Sequence, residues 1–147
     1  MLITIDIMKP EDAGWVSDIE KKVFSEPWPM AEFIKAAESQ NYCYITAKDN
    51  NKGVGYAGCV ISIDEADITN IAVSDDYRRL GIGGRLLTEL ERVLVERNVS
   101  KIFLEVRESN EAARELYTQM GFFEIGKRKN FYRKPDEDAI LMEKDLQ

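Results

Sequence analysis

The sequence predicts a single α+β domain with about seven strands flanked by about four helices. The first observation is the order of patterns: hairpin-forming strands come early, and two strand–helix units and a last pair of strands follow. The second is size and composition, because 147 residues with 44% hydrophobic and 32% charged content suit one globular core. The sequence shows no repeat or linker, so the domain is predicted to span residues 1–147.

Apolar spacing and helix-terminal residues predict the helices. Pro10 suits the first position of a helix, and the apolar residues from Ala13 to Val23 recur with helical spacing. A break at residues 26–29 separates this helix from a short second one. The predicted helices are 10–23, 30–39, a long helix that follows a glycine-rich loop and ends near Asn98, and 111–120.

Alternating apolar residues and the turn residues between them predict the strands. Residues 49–53, Asp-Asn-Asn-Lys-Gly, have the composition of a hairpin turn. The predicted strands are 2–8, 42–48, 54–63, 66–73, 101–107, 122–132 and 137–146.

The glycine-rich loop at residues 77–85, Tyr-Arg-Arg-Leu-Gly-Ile-Gly-Gly-Arg, is the most informative segment. It follows a strand and leads into a helix whose apolar residues share one face. A helix N-terminus offers unpaired N–H groups and partial positive charge, and glycines let an anion approach the backbone closely. Because Arg78 and Arg79 add positive charge to a chain of net charge −7, a phosphate or pyrophosphate ligand is predicted.

Two well-known phosphate motifs do not fit this loop. A P-loop needs Lys and then Ser or Thr after its last glycine, whereas Gly84 is followed by Arg85 and Leu86. A dinucleotide fingerprint needs a third small residue where Leu86 stands. What remains is Arg-x-x-Gly-x-Gly, formed by Arg78, Gly81 and Gly83, or a glycine turn that merely starts a helix.

A second motif follows the strand at 101–107. Asn110 suits a helix N-cap, and Gly121 suits the left-handed residue that ends a helix. Asn110, Ala113 and Tyr117 are spaced to share one helix face. A capping amide, a small residue and a phenol on one face suit a thioester tail that passes alongside.

Together the two motifs resemble those of the GCN5-related N-acetyltransferases, and the resemblance extends over nearly the whole chain. It implies a mixed, mostly antiparallel central sheet and acetyl-CoA as cosubstrate, with its pyrophosphate held mainly by backbone N–H groups. It also implies that one strand separates from the next and exposes backbone groups to the thioester, with an N–H near Val73 as oxyanion donor. The coenzyme-binding residues implied are Ile71, Ala72, Val73, Arg78, Arg79, Leu80, Gly81, Ile82, Gly83, Gly84 and Asn110.

Acetyl transfer to an amine needs a proton acceptor and a proton donor. Glu105 lies within an apolar strand, so burial is expected to raise its pKa and suit it to act as a base. The alternative is a carboxylate that merely pairs with Arg107 on the same face of the strand. Tyr117 is able to protonate a leaving thiolate, and its alternative is a core aromatic residue. The resemblance favours the catalytic role for both residues.

The resemblance is greatest to the ribosomal-protein alanine N-acetyltransferases of the RimI type. Segments 26–28, 69–73, 104–110 and 128–142 carry it. It implies that Glu105 is the proton acceptor, Tyr117 the proton donor and Tyr132 a substrate-binding residue. The implied acceptor is a protein N-terminus, the N-terminal alanine of ribosomal small-subunit protein eighteen. There are two alternatives: the acceptor is another amine, or the chain is a non-catalytic acetyl-CoA-binding module.

Composition excludes several other functions. The chain has no histidine, which removes every Ser-His or Cys-His mechanism and argues against a metal site. Its negative net charge argues against direct nucleic-acid binding. Cys43 and Cys59 form no metal motif and are interpreted as reduced packing thiols. With no apolar run long enough for a membrane span, these features predict a cytoplasmic protein, expected to be monomeric.

Overall fold

The computed structural model describes residues 1–146 as one central sheet with helices on both faces. The predicted seven strands and four helices are confirmed. In chain order the elements are β1 (Ile3–Ile7), α1 (Ala13–Val23), α2 (Met30–Glu38), β2 (Tyr42–Asp49), β3 (Lys52–Ser62), β4 (Glu65–Val73), α3 (Ile82–Glu96), β5 (Lys101–Arg107), α4 (Glu111–Gln119), β6 (Phe123–Tyr132) and β7 (Glu137–Asp145).

The sheet has the strand order β1-β2-β3-β4-β5-β7-β6. All neighbouring strands are antiparallel except β4 and β5, which run parallel. A parallel connection requires a crossover, and α3 provides it between these two strands. The sheet is therefore mixed and mostly antiparallel, as the family resemblance implied.

Two apolar clusters hold the helices to the sheet. On one face α3 and α4 pack on the strands through residues such as Leu86, Leu90 and Tyr117. On the other face α1 and α2 cover part of the sheet, with Phe33 and Tyr56 in the centre of that cluster. Burial of two separate apolar stripes, one on each face, is what makes this sheet the middle layer of the domain.

Boundaries differ from the predictions by at most three residues. The predicted first helix begins as a short 3-10 turn at Pro10–Asp12 before α1, and another 3-10 turn, Asp75–Tyr77, follows β4. The hairpin between β2 and β3 turns at Asn50 and Asn51, both with positive φ. Asparagine tolerates that conformation, which explains the turn.

The two cysteines lie directly opposite each other on β2 and β3. Cys43 and Cys59 are both buried and both free thiols. They pack in the core on the side of α3, so their predicted role as packing residues is confirmed. Among the described residues, no helix has the length and apolar character needed to cross a membrane.

Candidate active site

β4 and β5 separate along their length and leave a gap in the middle of the sheet. Only Glu65, Ala66 and Asp67 of β4 pair with β5, opposite Lys101 to Phe103. Beyond that point β4 continues to Val73 along β3, while β5 continues to Arg107 along β7. The second halves of the two strands therefore form a V whose inner edges are unpaired, as the resemblance implied for the strand that feeds the glycine loop.

A β-bulge at Thr69 coincides with this separation. The register with β3 shifts there, because Ile68 is opposite Cys59 and Asn70 is opposite the adjacent Gly58. Thr69 is the extra residue, and such a residue bends its strand and increases the twist. The bulge thus explains physically why β4 leaves β5.

The bulge also decides which backbone groups face the gap. The Ser74 N–H donates to the Val54 carbonyl at 2.8 Å, which sets the phase of the antiparallel ladder. In that phase Ile71 and Val73 direct their N–H and C=O groups away from β3 and into the gap. Ala72 directs its backbone toward β3 and buries its side chain against α1 and α2. The gap is therefore edged by free main-chain donors.

The glycine loop offers a second set of free donors beside the mouth of the gap. Among residues 1–146, the N–H groups of residues 79–84 have no protein acceptor, and the first bond of α3 runs from the Arg85 N–H to the Gly81 carbonyl at 3.1 Å. Gly81 has φ 79°, and a Cβ built there would meet no atom within 4 Å, so the space above the loop is open. These donors fit a pyrophosphate.

Side chains around the loop are partly engaged. Arg78 donates from Nε to the Val73 carbonyl at 3.3 Å and pairs with Asp75 on the surface. Arg79 takes a positive φ of 63°, and Leu80 is half-exposed. Gly83 lies against α4, since a Cβ there would approach the Leu116 side chain at 3.3 Å. The loop therefore combines free backbone N–H groups with the exposed side chains of residues 78–80.

The conformation of Gly81 leads to a testable prediction about stability. We expect Gly81→Ala to lower the free energy of unfolding by about 1–2 kcal/mol, because an L-residue with a Cβ is strained at this left-handed φ. Urea unfolding followed by circular dichroism measures the change. Gly14→Ala is the matched control, since Gly14 is helical and a Cβ there also meets no atom. Equal stability of Gly81→Ala and Gly14→Ala would contradict the prediction.

Glu105 projects from β5 on the face opposite α3. Ile102, Leu104 and Val106 point into the α3 core, so strand alternation places Glu105 on the other face, below the gap. It does not pair with Arg107, which instead bonds Glu137 and two loop carbonyls. Burial, and next the charge of Asp67, raise the pKa of Glu105 to about 7. The expected rise is confirmed, and a carboxyl group with this pKa is suited to proton transfer near neutrality.

Tyr117 and Asn110 occupy the α4 side of the gap. The Asn110 side chain accepts from the Ala113 N–H at 3.1 Å, so the predicted N-cap is confirmed. Tyr117 is 5% exposed and packs edge-on against Phe122. Burial raises the pKa of Tyr117 far above its usual value, so the phenol stays protonated. Its hydroxyl has no protein partner among residues 1–146 and is not fully enclosed, which leaves it free to meet a ligand.

Tyr132 lies at the end of β6, on the same side of the sheet as Glu105. Burial, followed by the charge of Glu105, raises the pKa of Tyr132 to about 12. The Arg107 guanidinium stacks 4.5 Å from the centre of the Tyr132 ring and also donates to the carbonyls of Arg133 and Pro135. Arg107 thus connects β5 to the loop between β6 and β7 by hydrogen bonds.

Two acidic residues of this region were missed in the sequence. Asp67 lies where β4 and β5 part, and Glu20 of α1 is only 2% exposed. Glu20 accepts from the Trp28 N–H at 3.0 Å and the Asn70 amide, and its other partner is the Tyr56 hydroxyl. Both residues look like ordinary surface acids in the sequence, although the place of Glu20 on the apolar stripe of α1, next to Ile19, was a usable signal.

Comparison with known proteins agrees with this geometry. Residues 16–122 match the Acetyltransferase (GNAT) family. The [ribosomal protein bS18]-alanine N-acetyltransferases of Escherichia coli strain K12 and Haemophilus influenzae are 37% and 38% identical to this chain. The matches cover 95% of this chain and of the E. coli protein, and 85% of this chain and 86% of the H. influenzae protein.

The fold also matches a solved structure. The crystal structure of the ribosomal-protein-S18-alanine N-acetyltransferase from E. coli superimposes with a TM-score of 0.91 at 34% identity, over 99% of this chain and 95% of that one. The matched region includes the separated parts of β4 and β5, the loop with its free amides, and Glu105. The chain therefore belongs to the GNAT family of acetyltransferases.

Proposed function

We propose that this protein transfers the acetyl group of acetyl-CoA to the N-terminal α-amino group of a protein, namely the N-terminal alanine of ribosomal protein bS18. The observation that carries the proposal is the V between β4 and β5, with free loop amides at its mouth and Glu105 below it. The substrate is the one that the names of the E. coli and H. influenzae relatives state for those proteins.

The acceptor amine loses its proton toward Glu105 in this proposal. An α-amino group has a pKa near ~8, so part of it is already neutral at physiological pH. A carboxylate whose pKa is about 7 is well matched to take the remaining proton, directly or through a water molecule. Tyr132 borders the same side of the sheet and is suited to contact the acceptor peptide.

The thioester is placed in the gap by backbone groups. The free N–H groups of residues 79–84 and the N-terminus of α3 bind the pyrophosphate, with Asn110 and the α4 face beside the tail. The amine nitrogen forms the new bond to the acetyl carbon, and the Val73 N–H is directed to stabilise the carbonyl oxygen. When the C–S bond breaks, Tyr117 donates its proton to the thiolate.

The proposal is tested by offering acceptors to the purified protein with acetyl-CoA. Mass spectrometry of ribosomal proteins, and of peptides beginning with alanine, is expected to show one added acetyl group at the N-terminus. Peptides with blocked N-termini and free polyamines are expected to stay unmodified. Acetylation of lysine or polyamines would replace the acceptor, and coenzyme binding without any product would indicate a non-catalytic module.

Tyr117 provides a separate prediction for the leaving group. We expect Tyr117→Phe to lower kcat by about a hundredfold, because a positioned proton donor contributes at least that factor. Stability is expected to be nearly unchanged, since the hydroxyl has no protein partner. Tyr42→Phe is a matched deletion of a phenol on β2, which β3 separates from β4, and is expected to retain normal turnover. Wild-type kcat for Tyr117→Phe would remove this residue from the mechanism.

The setting proposed for this reaction is the cytoplasm, with the protein acting as a monomer. Two free, buried thiols support a reducing compartment. A net charge of −7 supports a basic or amine-bearing protein substrate rather than direct binding to nucleic acid. Size-exclusion chromatography with light scattering tests the oligomeric state.

A further inference from the structure

Asp67 lies at the apex of the V, directly beside Glu105. It is the last residue of β4 that pairs with β5, opposite Phe103. Since Ala66 and Ile68 point into the α3 core, Asp67 points to the opposite face, as Phe103 and Glu105 do. Two carboxyl groups from different strands therefore lie on one face of the sheet at the point where the strands separate.

These two groups face a small hollow of their own. Its volume is about 170 Å³, and the residues of 1–146 that line it all belong to strands. One oxygen of Asp67, Oδ1, is buried and has no hydrogen-bond partner among residues 1–146. The residues that line the hollow include Asp67, Phe103, Glu105, Ile125, Arg128 and Leu141.

The charge balance around Glu105 comes from few groups. β4 contributes Asp67, and β6 contributes Arg128 and Tyr132, whose phenol is neutral. β7 contributes only apolar side chains to the hollow, and Arg107 on β5 is paired with Glu137. Because Arg128 is exposed, solvent screens its charge, and the nearest strong influence on Glu105 is the Asp67 carboxyl group.

We propose that Asp67 and Glu105 share one proton, and that Asp67 is a positioning residue which sets the pH at which Glu105 becomes a base. Two carboxyl groups in contact do not readily ionise together, so the second proton leaves at a higher pH than the first. Burial, the charge of Asp67 and a hydrogen bond with Asp67 raise the pKa of Glu105 to about 7. Burial also raises the pKa of Asp67, but the hydrogen bond with Glu105 partly opposes that rise. Asp67 is thus the partner that ionises first, and Glu105 carries the shared proton.

This inference rests on the proposed function, and it predicts the direction in which the pH dependence of acetylation changes. Glu105 accepts a proton only when ionised, so the acetylation rate rises with pH through the pKa of Glu105. Asp67→Asn removes the like charge and lowers that pKa, so the acid limb of kcat/KM is expected to move down by about one pH unit. The variant is then about tenfold faster than wild type at pH values below both limbs. Arg128→Gln removes a favourable charge and is expected to move the limb up by a smaller amount.

The experiment measures kcat/KM for an alanine-initiated peptide against pH in the wild type and both variants. Ionisation of the peptide amine is common to all three, so it cancels in the comparison. Asp145→Asn, which neutralises an exposed carboxylate at the end of β7, is the matched control and is expected to leave the limb in place. If Asp67 had only a structural role, Asp67→Asn would lower kcat, but the acid limb would not move in opposite directions in Asp67→Asn and Arg128→Gln.

A direct titration separates this inference from the proposed function. The 13C shift of the Glu105 carboxyl, assigned by comparison with Glu105→Gln, reports its ionisation without any acetyl transfer.

The outcomes of the two measurements are distinct. The inference would be overturned if the acid limb of kcat/KM and the 13C titration of Glu105 were both unchanged in Asp67→Asn. A higher KM for the peptide without a shifted limb would also overturn it, because Asp67 would then bind the acceptor ammonium. If the wild type acetylates no amine while the titration shifts as expected, only the proposed function fails. If Asp67→Asn folds poorly, the 13C titration of the wild type still tests the proposal, because a Glu105 carboxyl group that titrates in one step, independently of Asp67, would overturn it.

Discussion

Glu105→Gln is expected to lower kcat for an alanine-initiated peptide by at least about a hundredfold, with acetyl-CoA binding close to normal. A positioned general base contributes about 10²–10⁴ in rate, and glutamine keeps the shape of the side chain without accepting a proton. The coenzyme is expected to bind mainly through the amides of residues 79–84, which Glu105 does not contact. Steady-state kinetics measures kcat, and calorimetry measures the dissociation constant of acetyl-CoA.

Glu143→Gln is the matched control for this variant. Glu143 lies on β7 opposite Phe103, is also half-buried, and pairs with Lys101 at the closed end of the V. Its replacement is expected to leave kcat within about twofold of wild type, because Glu143 is not among the residues that line the hollow beside Glu105. Full activity of Glu105→Gln would exclude Glu105 as the base, whereas a large loss of acetyl-CoA binding would indicate a structural role.

Glu20→Ala is expected to have the largest effect on stability, lowering the free energy of unfolding by roughly 3 kcal/mol or more. The substitution leaves three buried donors without their acceptor: the Tyr56 hydroxyl, the Asn70 amide and the Trp28 N–H. Urea unfolding measures the loss. The Trp28 N–H bond holds the loop between α1 and α2, and the Ser25 hydroxyl of that loop donates to the Arg133 carbonyl, next to Tyr132. We therefore also expect a higher KM for the acceptor peptide.

Asp18→Ala provides the control on the same helix. Asp18 is exposed and only two residues from Glu20, so its removal tests the effect of charge and helix propensity alone. We expect a change within about 0.5 kcal/mol, as for most surface substitutions. If Glu20→Ala were no more destabilising than Asp18→Ala, the buried network would be of little importance to the fold.

The glycine loop and the fourth helix were readable in the sequence because their signals are local. A glycine at positive φ, an asparagine cap and apolar residues on one helix face act within a few positions of each other. β5 was predicted with the bounds that the structure shows because turn residues follow Arg107, and in the structure Lys101 to Arg107 alternate in burial. The same alternation placed Glu105 apart from the α3 core.

The bulge at Thr69 had no readable signal. No residue type marks it, and its effect, which is to turn the backbone of Ile71 and Val73 into the gap, depends on register with β3. The placement of β7 between β5 and β6 is likewise a matter of pairing between distant segments. Asp67 gained its importance only through these pairings, which bring it to Glu105, 38 positions further along the chain.

By itself the sequence determined the order of strands and helices, including the glycine-rich loop before α3 and the strand and helix that carry Glu105 and Tyr117. Those features follow from backbone preferences and from the spacing of apolar residues, which act over short distances. Only the tertiary structure decided which strands part, which amides remain free, and which two carboxyl groups line the same hollow. These depend on non-local pairing and burial, since the pKa of a carboxyl group is set by its neighbours in space rather than in sequence.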